Sequence, residues 1–346
     1  MALMEIETLK KAGTCDIISN LPQEVIDTIL VHLPIREAVR TSILSSEWRD
    51  KWLTISQLRF DESITSSVAR KKKLISIVYA ILLRHRGPIC RFELSNHYSP
   101  TCFDLDQWII LLAKNGKIQE LSLDFETGHE GFYIVHSLLF SCQQLTYLKL
   151  SNCLITPTPI FKGFNSLTSL HLDQVTIDDN ILESLILNSP LLERITLSSI
   201  ICYSFLKISG PNLKHLELQG NFKDICLENN PHLATVSIEL FAETKLHARH
   251  ELRRTCNLVR VLSCIPSVER LSLSGDFLKF LAISNVPDSL PIRYNHLKVL
   301  ELYVLNFNNL DEISVAVSIM RSAPQLEELS IWVSYCLCNC WVHIIF

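Results

Sequence analysis

The chain is 346 residues long, 48% of them hydrophobic, and it has a formal net charge of -4. This composition is typical of a globular protein, and the excess of acid excludes a general attraction to nucleic acid or to anionic membranes. Glu5 and Glu7 stand where a secretory signal is basic, and no apolar run approaches the ~18 residues of a membrane span. We therefore expect neither a secretory signal nor a membrane segment.

The N-terminal part of the chain predicts a tail followed by a small helical module. Residues 1–14 are expected to form a disordered tail, and residues 15–55 the module. Pro22 suits the first turn of a helix, whose apolar side chains then recur at helical spacing. Pro34 ends that helix, and a second short helix fits Arg36 to Ser42.

A third helix of the module is predicted around two tryptophans. Ser45 or Ser46 can cap it, and Trp48 and Trp52 then lie one turn apart. Three helices this short do not bury two tryptophans and many aliphatic side chains alone. The module is therefore expected to pack on a partner or on the rest of the chain.

Beyond a linker helix, assigned to residues 56–86, a hexad of the form L-x-x-L-x-L recurs ten times. Isoleucine, valine or phenylalanine can replace leucine in it. Successive hexads start 20 to 35 residues apart, close to the ~20–29-residue period of a leucine-rich repeat. The widest gap, 233 to 268, is expected to hold an insertion. The hexads are Ile89-Phe92-Leu94, Ile118-Leu121-Leu123, Leu145-Leu148-Leu150, Leu167-Leu170-Leu172, Leu192-Ile195-Leu197, Leu213-Leu216-Leu218, Leu233-Val236-Ile238, Val268-Leu271-Leu273, Leu297-Leu300-Leu302 and Leu326-Leu329-Ile331.

The positions of proline support the repeat independently. Five of the thirteen prolines lie two residues before the first apolar position of a hexad, namely Pro190, Pro211, Pro231, Pro266 and Pro324. Proline at that point ends a helical turn and passes an extended chain to the strand. Apolar residues at helical spacing between hexads, such as Ile181 to Ile186 and Val259 to Leu262, predict helical returns.

These elements predict an α/β fold with two parts. A small three-helix module precedes a leucine-rich-repeat solenoid over residues 87–333, and residues 334–346 form an atypical C-terminal tail. A single repeat cannot bury its own apolar side, but stacked repeats bury a continuous core. The expected result is a curved parallel sheet with a helical or irregular convex side.

Polar residues between the apolar positions of each hexad are expected on the concave face of the sheet, because side chains alternate along a strand. They are mixed in charge and include few aromatic residues, which favours a polar protein surface or peptide as the target over a deep apolar ligand pocket. A merely solvated face is the alternative for any one residue. The candidate target-binding residues are Tyr147, Lys149, His171, Arg194, His215, Glu217, Arg270 and Glu301.

Motifs for catalysis, cofactors or metals are not evident. Only nine glycines are present, and no phosphate-cradling loop or G-x-S-x-G nucleophile motif occurs. The twelve cysteines are spread along the chain and are expected to be reduced and mostly buried. Cys336, Cys338 and Cys340 could ligate a metal, but we favour a frayed tail. We therefore predict no cofactor and no metal site.

Several runs of the N-terminal module carry a family resemblance: Ile18-Ser19-Asn20-Leu21-Pro22, Ile29-Leu30, Leu33-Pro34, Ala38-Val39-Arg40-Thr41-Ser42, Leu44-Ser45, and Trp48-Arg49 with Trp52. These runs resemble a plant F-box. A helix from Lys73 to Arg86 and His85-Arg86-Gly87-Pro88 before Phe92-Glu93-Leu94 follow, so that residues 15 to 332 resemble the F-box/FBD/LRR-repeat family.

The resemblance implies a non-catalytic receptor subunit of an SCF-type ubiquitin ligase, located in the nucleus, the cytoplasm or both. Its F-box would bind a Skp-type adaptor and through it a cullin, and its repeats would bind an unidentified target protein. Internal packing of the F-box is the alternative for each adaptor-binding residue. Carried over by position, those residues are Leu21, Pro22, Ile26, Ile29, Leu30, Leu33, Pro34, Val39, Leu44, Trp48 and Trp52.

One departure from the family concerns the C-terminal end. The family continues past the last repeat into an FBD domain, whereas this sequence runs from Ser334 to Phe346, so we expect the FBD domain to be missing. A second hypothesis is therefore a leucine-rich-repeat interaction scaffold that does not recruit a ligase. An enzyme is a third hypothesis, which no motif supports.

Overall fold

A computed structural model describes residues 18, 21–60, 68–95, 102–124, 133–156, 161, 163–200, 206–220, 222, 225–241, 258–283, 293–334 and 341–345. The chain divides into two compact units, residues 1–96 and residues 97–346. Among the helices of the described residues, none is both long enough and apolar enough to cross a membrane.

The first unit contains, in chain order, helix α1 (Gln23–His32), helix α2 (Ile35–Arg40), 3-10 helices at Thr41–Ile43 and Lys51–Thr54, strand β1 (Gln57–Phe60), helix α3 (Val68–Arg84) and strand β2 (Arg91–Ser95). Pro22 lies at the start of the first helix, as predicted, and Pro34, which was predicted to end that helix, also opens the second. Pro22 and Pro34 are the N-cap residues, and the carbonyl of each accepts the first backbone bond of its helix, from Val25 at 3.0 Å and from Glu37 at 2.9 Å.

The third predicted helix of this module is absent, which corrects the expectation for Ser45 to Trp52. Backbone N–H groups here donate to the carbonyl three residues earlier, as from Arg49 to Ser46 at 3.3 Å, and so form turns and a 3-10 helix. The carbonyl of Arg49 accepts a bond from the Ser42 hydroxyl at 3.0 Å instead of continuing a helix. Local bonding and the burial of Trp48 therefore override the helical spacing of the tryptophans.

The predicted linker over residues 56–86 is also not wholly helical. Residues Gln57–Phe60 form β1, whose Leu58 and Phe60 are buried while Arg59 is exposed. This period-two alternation is typical of a strand. β1 pairs in parallel with β2, which carries the first hexad, from Gln57 opposite Arg91 to Phe60 opposite Leu94.

The second unit contains, in chain order, helix α4 (Cys102–Asn115), β3 (Glu120–Asp124), β4 (Tyr133–Ile134), a 3-10 helix (Ser137–Ser141), β5 (Tyr147–Ser151), β6 (Cys153–Ile155), β7 (Ser169–Asp173), β8 (Thr176–Ile177), α5 (Asp179–Leu187), β9 (Arg194–Ser198), β10 (Leu206–Ile208), β11 (His215–Gly220), β12 (Ile225–Leu227), β13 (Thr235–Leu240), α6 (Leu258–Ser263), β14 (Arg270–Ser274), α7 (Gly275–Ile283), β15 (Val299–Leu305), α8 (Leu310–Arg321), β16 (Glu328–Ser334) and β17 (Trp341–Ile345).

Its main sheet runs in the order β3-β5-β7-β9-β11-β13-β14-β15-β16-β17. All of these pairs are parallel except the last, β16 with β17. Two smaller parallel sheets, β4-β6-β8 and β10-β12, are made of short strands, each of which comes after a main-sheet strand in the sequence. This arrangement confirms the predicted α/β solenoid with a long parallel sheet. Strand β17 pairs with β16, which corrects the expectation of a frayed tail at the end of the chain.

The predicted hexads coincide with the strands. The second and third apolar residues of each hexad lie on β2, β3, β5, β7, β9, β11, β13, β14, β15 and β16. In the first nine hexads all three apolar residues are buried, whereas in the tenth only Ile331 is fully buried. Each buried aliphatic side chain contributes roughly 1.5–3 kcal/mol, so the stacked hexads form the core that a single repeat cannot supply.

The phased prolines each open a β-turn before a strand. The N–H of Leu192 donates to the carbonyl of Ser189 at 3.1 Å, which places Pro190 at the second position of the turn, and Leu213 bonds Gly210 in the same way. The expected helical returns are confirmed as α5 and α6. The insertion predicted between residues 233 and 268 lies partly at 242–257, outside the described residues.

Candidate protein-binding surfaces

The first unit carries a set of exposed apolar side chains, which we call the F-box apolar surface. Its members lie before α1, on α1, and at the end of the 3-10 helix that follows α2. They are Ile18, Val25, Ile29, Ile43 and Leu44. Ile43 is 83% exposed and Leu44 is 55% exposed. Several apolar side chains left exposed on one small module are typical of a site that another protein covers.

Helix α1 has two apolar stripes with different surroundings. Val25 and Ile29 are four residues apart and share one exposed face, whereas Ile26 and Leu30 share a buried face. Trp48 is also buried, and its Nε1 donates a hydrogen bond to the carbonyl of Ile18 at 3.0 Å. One stripe thus packs within the chain while the other faces solvent.

The eleven predicted adaptor-binding residues therefore fall into three groups. Pro22, Ile29 and Leu44 are exposed. The half-buried residues are Leu21, Leu33, Pro34, Val39 and Trp52. Ile26, Leu30 and Trp48 are at most 2% exposed, so the prediction that they face the adaptor is corrected: they form the core beneath that surface.

Three members of the F-box apolar surface were absent from the prediction, namely Ile18, Val25 and Ile43. The signal for Val25 was available, because it lies four residues before Ile29 on the same helical face. Nothing in the sequence marked Ile43, since its exposure depends on the 3-10 helix that replaces a continuous α-helix there.

The second unit exposes one side of its main sheet, here called the polar face. Its first row across β3–β16 is Glu120, Tyr147, Ser169, Arg194, His215, Thr235, Arg270, Val299 and Glu328, and its second is Ser122, Lys149, His171, Thr196, Glu217, Ser237, Ser272, Glu301 and Ser330. All eight predicted target-binding residues lie in these two rows. A third row lies two residues further along each strand and includes Asp124, Asp173, Gln219, Glu239, Tyr303 and Trp332.

Histidines and cations meet on the part of the polar face formed by β5, β7, β9 and β11. The ring centroids of Tyr147 and His171 are 5.1 Å apart. Burial lowers the pKa of His171, and the charges of Arg194 and Lys149 lower it further. Burial, followed by the charge of Arg194, also lowers the pKa of His215. Both shifts favour the neutral form of the imidazole.

Aromatic and acidic side chains meet at the opposite part of the face, on β14, β15 and β16. Glu301 accepts hydrogen bonds from Arg270 Nη1 at 2.8 Å, from Ser272 Oγ at 2.5 Å and from Tyr303 Oη at 3.3 Å. The rings of Tyr303 and Trp332 stack with centroids 4.4 Å apart and an interplanar angle of 17°. Tyr303 and Trp332 were not predicted, although extending the alternation by one step would have found them.

Metal-ligating residues do not gather in groups of three or more within the described parts of the chain. Cys336, Cys338 and Cys340 lie outside those parts. Cys153 is fully buried, and burial raises the pKa of its thiol to about 12.

Comparison with known proteins yields matches to both units. A family model described as "F-box domain" matches residues 18–58, and one described as "FBD-associated F-box protein At5g56370, LRR repeats" matches residues 105–331. The chain is 41% identical over 323 residues to the F-box/FBD/LRR-repeat protein At1g13570 of Arabidopsis thaliana, covering 91% of this chain and 76% of that relative. The chain belongs to the F-box/FBD/LRR-repeat family.

A second relative is less similar in sequence, but its alignment covers the same share of both chains. The FBD-associated F-box protein At4g10400 of Arabidopsis thaliana is 29% identical over 324 residues, with 91% of this chain and 76% of the relative covered. The match to the F-box covers α1 and α2 and reaches Leu58 in β1, and the match to the repeats covers β3 to β15 and reaches Ile331 in β16. The F-box apolar surface and the polar face as far as Ile331 thus lie within the segments that match the family models.

Proposed function

We propose that this chain is the substrate-recognition subunit of an SCF-type ubiquitin ligase. In this proposal the F-box docks a Skp-type adaptor, which joins a cullin, and the repeats bind a target protein. The chain itself is non-catalytic and acts in the nucleus, the cytoplasm or both. Chemistry is supplied by the complex that the adaptor recruits.

The F-box apolar surface is the observation that carries this proposal. The core beneath it is already filled by Ile26, Leu30 and Trp48, so the exposed stripe of Val25 and Ile29 is not needed for packing inside the module. Val25 is 41% exposed and Ile29 38% exposed, so covering what remains in water would contribute a fraction of the roughly 1.5–3 kcal/mol that full burial of each side chain gives. A protein partner that covers them recovers this free energy, less the cost of association.

The polar face of the repeats supports the second half of the proposal. It presents hydrogen-bonding and charged side chains in three registered rows on a rigid parallel sheet. Such a surface suits recognition of another protein's polar surface, because charged groups across an interface set partner choice. The two roles fall on separate units, so each can be altered without the other.

The adaptor half can be tested with the purified chain and a purified plant Skp-type adaptor. We expect the two to co-elute in size-exclusion chromatography, and Leu44→Asp to abolish co-elution. Leu187→Asp is the matched control, because Leu187 is also 55% exposed but lies at the end of α5 in the second unit.

Each outcome of that experiment separates the proposal from its alternative. Loss of co-elution with Leu44→Asp and retention with Leu187→Asp support ligase recruitment. Failure of the unaltered chain to bind any Skp-type adaptor overturns the proposal and favours the scaffold without ligase recruitment. Circular dichroism of both variants verifies that they remain folded.

A further inference from the structure

The stacked rings of Tyr303 and Trp332 stand out on the polar face. Their centroids are 4.4 Å apart, and both side chains are only partly buried. Most neighbouring positions of the face hold serine, threonine or charged residues. Tyrosine and tryptophan supply large contact area at small cost in conformational entropy, and they are enriched where binding energy concentrates.

The charge of the polar face is strongly unbalanced. Across the described strands β3–β16 it carries seven carboxylates and three cations. The carboxylates are Glu120, Asp124, Asp173, Glu217, Glu239, Glu301 and Glu328, and the cations are Lys149, Arg194 and Arg270. Two of the cations are already paired on the face, Lys149 with Asp124 at 3.7 Å and Arg270 with Glu301 at 2.8 Å. A partner of complementary charge is therefore basic.

Two carboxylates lie near the aromatic pair, Glu301, which is also paired with Arg270, and Glu239. The Tyr303 hydroxyl donates to Glu301, and Glu239 lies two strands away, at roughly 10 Å for a strand spacing of ~4.8 Å. Burial, then Glu301, with a smaller effect of Glu239, raises the pKa of Tyr303 to about 12. The phenol therefore stays protonated and can donate its hydrogen bond to Glu301, while the face of the aromatic ring attracts cations.

The backbone that carries Tyr303 is held in an uncommon conformation. Val304 has φ +60°, in a bulge of β15 between Leu302 and Leu305. A left-handed conformation is strained for a β-branched residue. Strain of this kind persists only where the surroundings enforce it, and it occurs most often at functional sites.

Two features enforce that corner. Gly275 has no side chain where a Cβ would come 2.4 Å from the Val304 carbonyl oxygen. The buried carboxylate of Glu312 accepts from the backbone N–H of Asn306 at 3.0 Å and from Asn309 Nδ2 at 2.8 Å. The contacts of Gly275 and Glu312 thus fix the segment after Tyr303, and the tyrosine ring is preorganised against Trp332.

We propose that the Tyr303–Trp332 stack, with Glu301 and Glu239 beside it, holds an arginine or lysine side chain of the target protein. The repeat region then selects targets with a basic segment. This inference rests on the proposed function, because it names the class of partner for the same polar face. A cation over a tryptophan or tyrosine ring, flanked by carboxylates, combines cation–π attraction with ion pairing.

The test uses the full chain, with and without a Skp-type adaptor, and fluorescein-labelled hexa-arginine and hexa-glutamate as probes. Fluorescence anisotropy gives the dissociation constants at about 0.15 M and about 0.5 M NaCl, because the higher salt screens long-range attraction to the net charge. We expect hexa-arginine to bind at both salt concentrations and hexa-glutamate at neither.

Matched variants assign the binding to the stack. Tyr303→Leu is expected to weaken hexa-arginine binding by about threefold to tenfold, whereas Tyr303→Phe keeps the ring and changes it by less than about twofold. Tyr79→Leu removes an exposed ring from α3 in the first unit, outside the polar face, and is expected to leave binding within about twofold. Preference for hexa-glutamate, binding of neither probe, or equal loss in both leucine variants overturns the inference.

Adaptor binding in the same samples separates the two proposals. Retained adaptor binding without a preference for hexa-arginine overturns the basic-segment site and leaves the ligase role intact. A preference for hexa-arginine in a chain that fails to bind any adaptor overturns the ligase role and leaves the site intact.

Discussion

The indole Nε1 of Trp48 donates a hydrogen bond to the backbone carbonyl of Ile18 at 3.0 Å, joining two residues thirty positions apart. This bond holds the start of the F-box against its last turns, and the ring itself is 2% exposed. The apolar surface on α1 is thereby presented by a module with its own core. The adaptor-facing role that we propose for the F-box depends on this support.

Replacing Trp48 tests that support. Trp48→Phe removes the hydrogen bond and leaves part of the ring volume empty, so we expect the F-box to lose about 1–3 kcal/mol of stability. Hydrogen–deuterium exchange of the peptide covering α1 measures the loss as faster exchange. Trp52→Phe is the control, since Trp52 is only half-buried and its replacement is expected to have a smaller effect. Equal acceleration in both variants would contradict this role of Trp48.

Replacement of Gly163 by alanine is expected to destabilise the repeats strongly. Its φ is +101°, and a Cβ there would lie 2.2 Å from the carbonyl oxygen of Asn188. Gly163→Ala therefore adds a backbone clash to conformational strain and should lower the midpoint of urea unfolding of the repeats well beyond the effect of Gly116→Ala. Gly116 has φ +66° but open space around it, so alanine there costs only about 1 kcal/mol of strain. Indistinguishable unfolding midpoints would refute the difference.

How far the sequence predicts this fold is clearest at the repeats. The apolar positions of the hexads, such as Leu148 and Leu150, fix both the strand and the face it buries, because period-two alternation and stacking allow one register. The phased prolines predict the turns for the same local reason. These signals are contained within a few neighbouring residues, so a single sequence is sufficient to find them.

The F-box shows why other features were not predictable. Ile26 and Ile29 are the same residue type on one helix, yet one is buried and the other is exposed. Only the placement of Trp48 and the turns after α2 decides which stripe packs inward. The strained φ of Val304 likewise depends on Gly275, which is distant in sequence and leaves room for the Val304 carbonyl oxygen.

The lowered pKa of His171 on the polar face gives a prediction that titration can test. Burial first, and then the charges of Arg194 and Lys149, lower the pKa of His171 below its usual 6.5. Arg194→Gln removes one of the charges and is expected to raise the pKa of His171, as measured by NMR titration of its ring protons. Lys114→Gln, on α4, is the control that should leave this pKa unchanged.

The same shift links folding to pH. The folded chain binds the His171 proton less tightly than the unfolded chain does, so stability falls as pH drops through about 6.5. Urea unfolding at successive pH values should show a shallower fall below that pH for His171→Asn than for the unaltered chain. A steeper fall in the variant would contradict the direction of the shift.

Thiol reactivity offers a further check on the corner after β5. Cys153 is fully buried, and its pKa of about 12 leaves almost no thiolate at pH 8. Mass spectrometry after iodoacetamide treatment should therefore find Cys153 unmodified in the folded chain and modified after denaturation. Cys90 and Cys226 are only partly buried and serve as internal references. Modification of Cys153 at the rate of those references would show that this corner opens.

Site-specific photo-cross-linking tests the central claim, that the F-box apolar surface contacts a Skp-type adaptor. With p-benzoylphenylalanine in place of Leu44 or Ile29, illumination of the mixed proteins should join the chain to the adaptor. With the same photoreactive residue in place of Leu187, equally exposed to Leu44, no such product should form. Cross-linking at position 187 but not at 44 or 29, or a stable complex with no cross-link at either F-box position, would contradict the account.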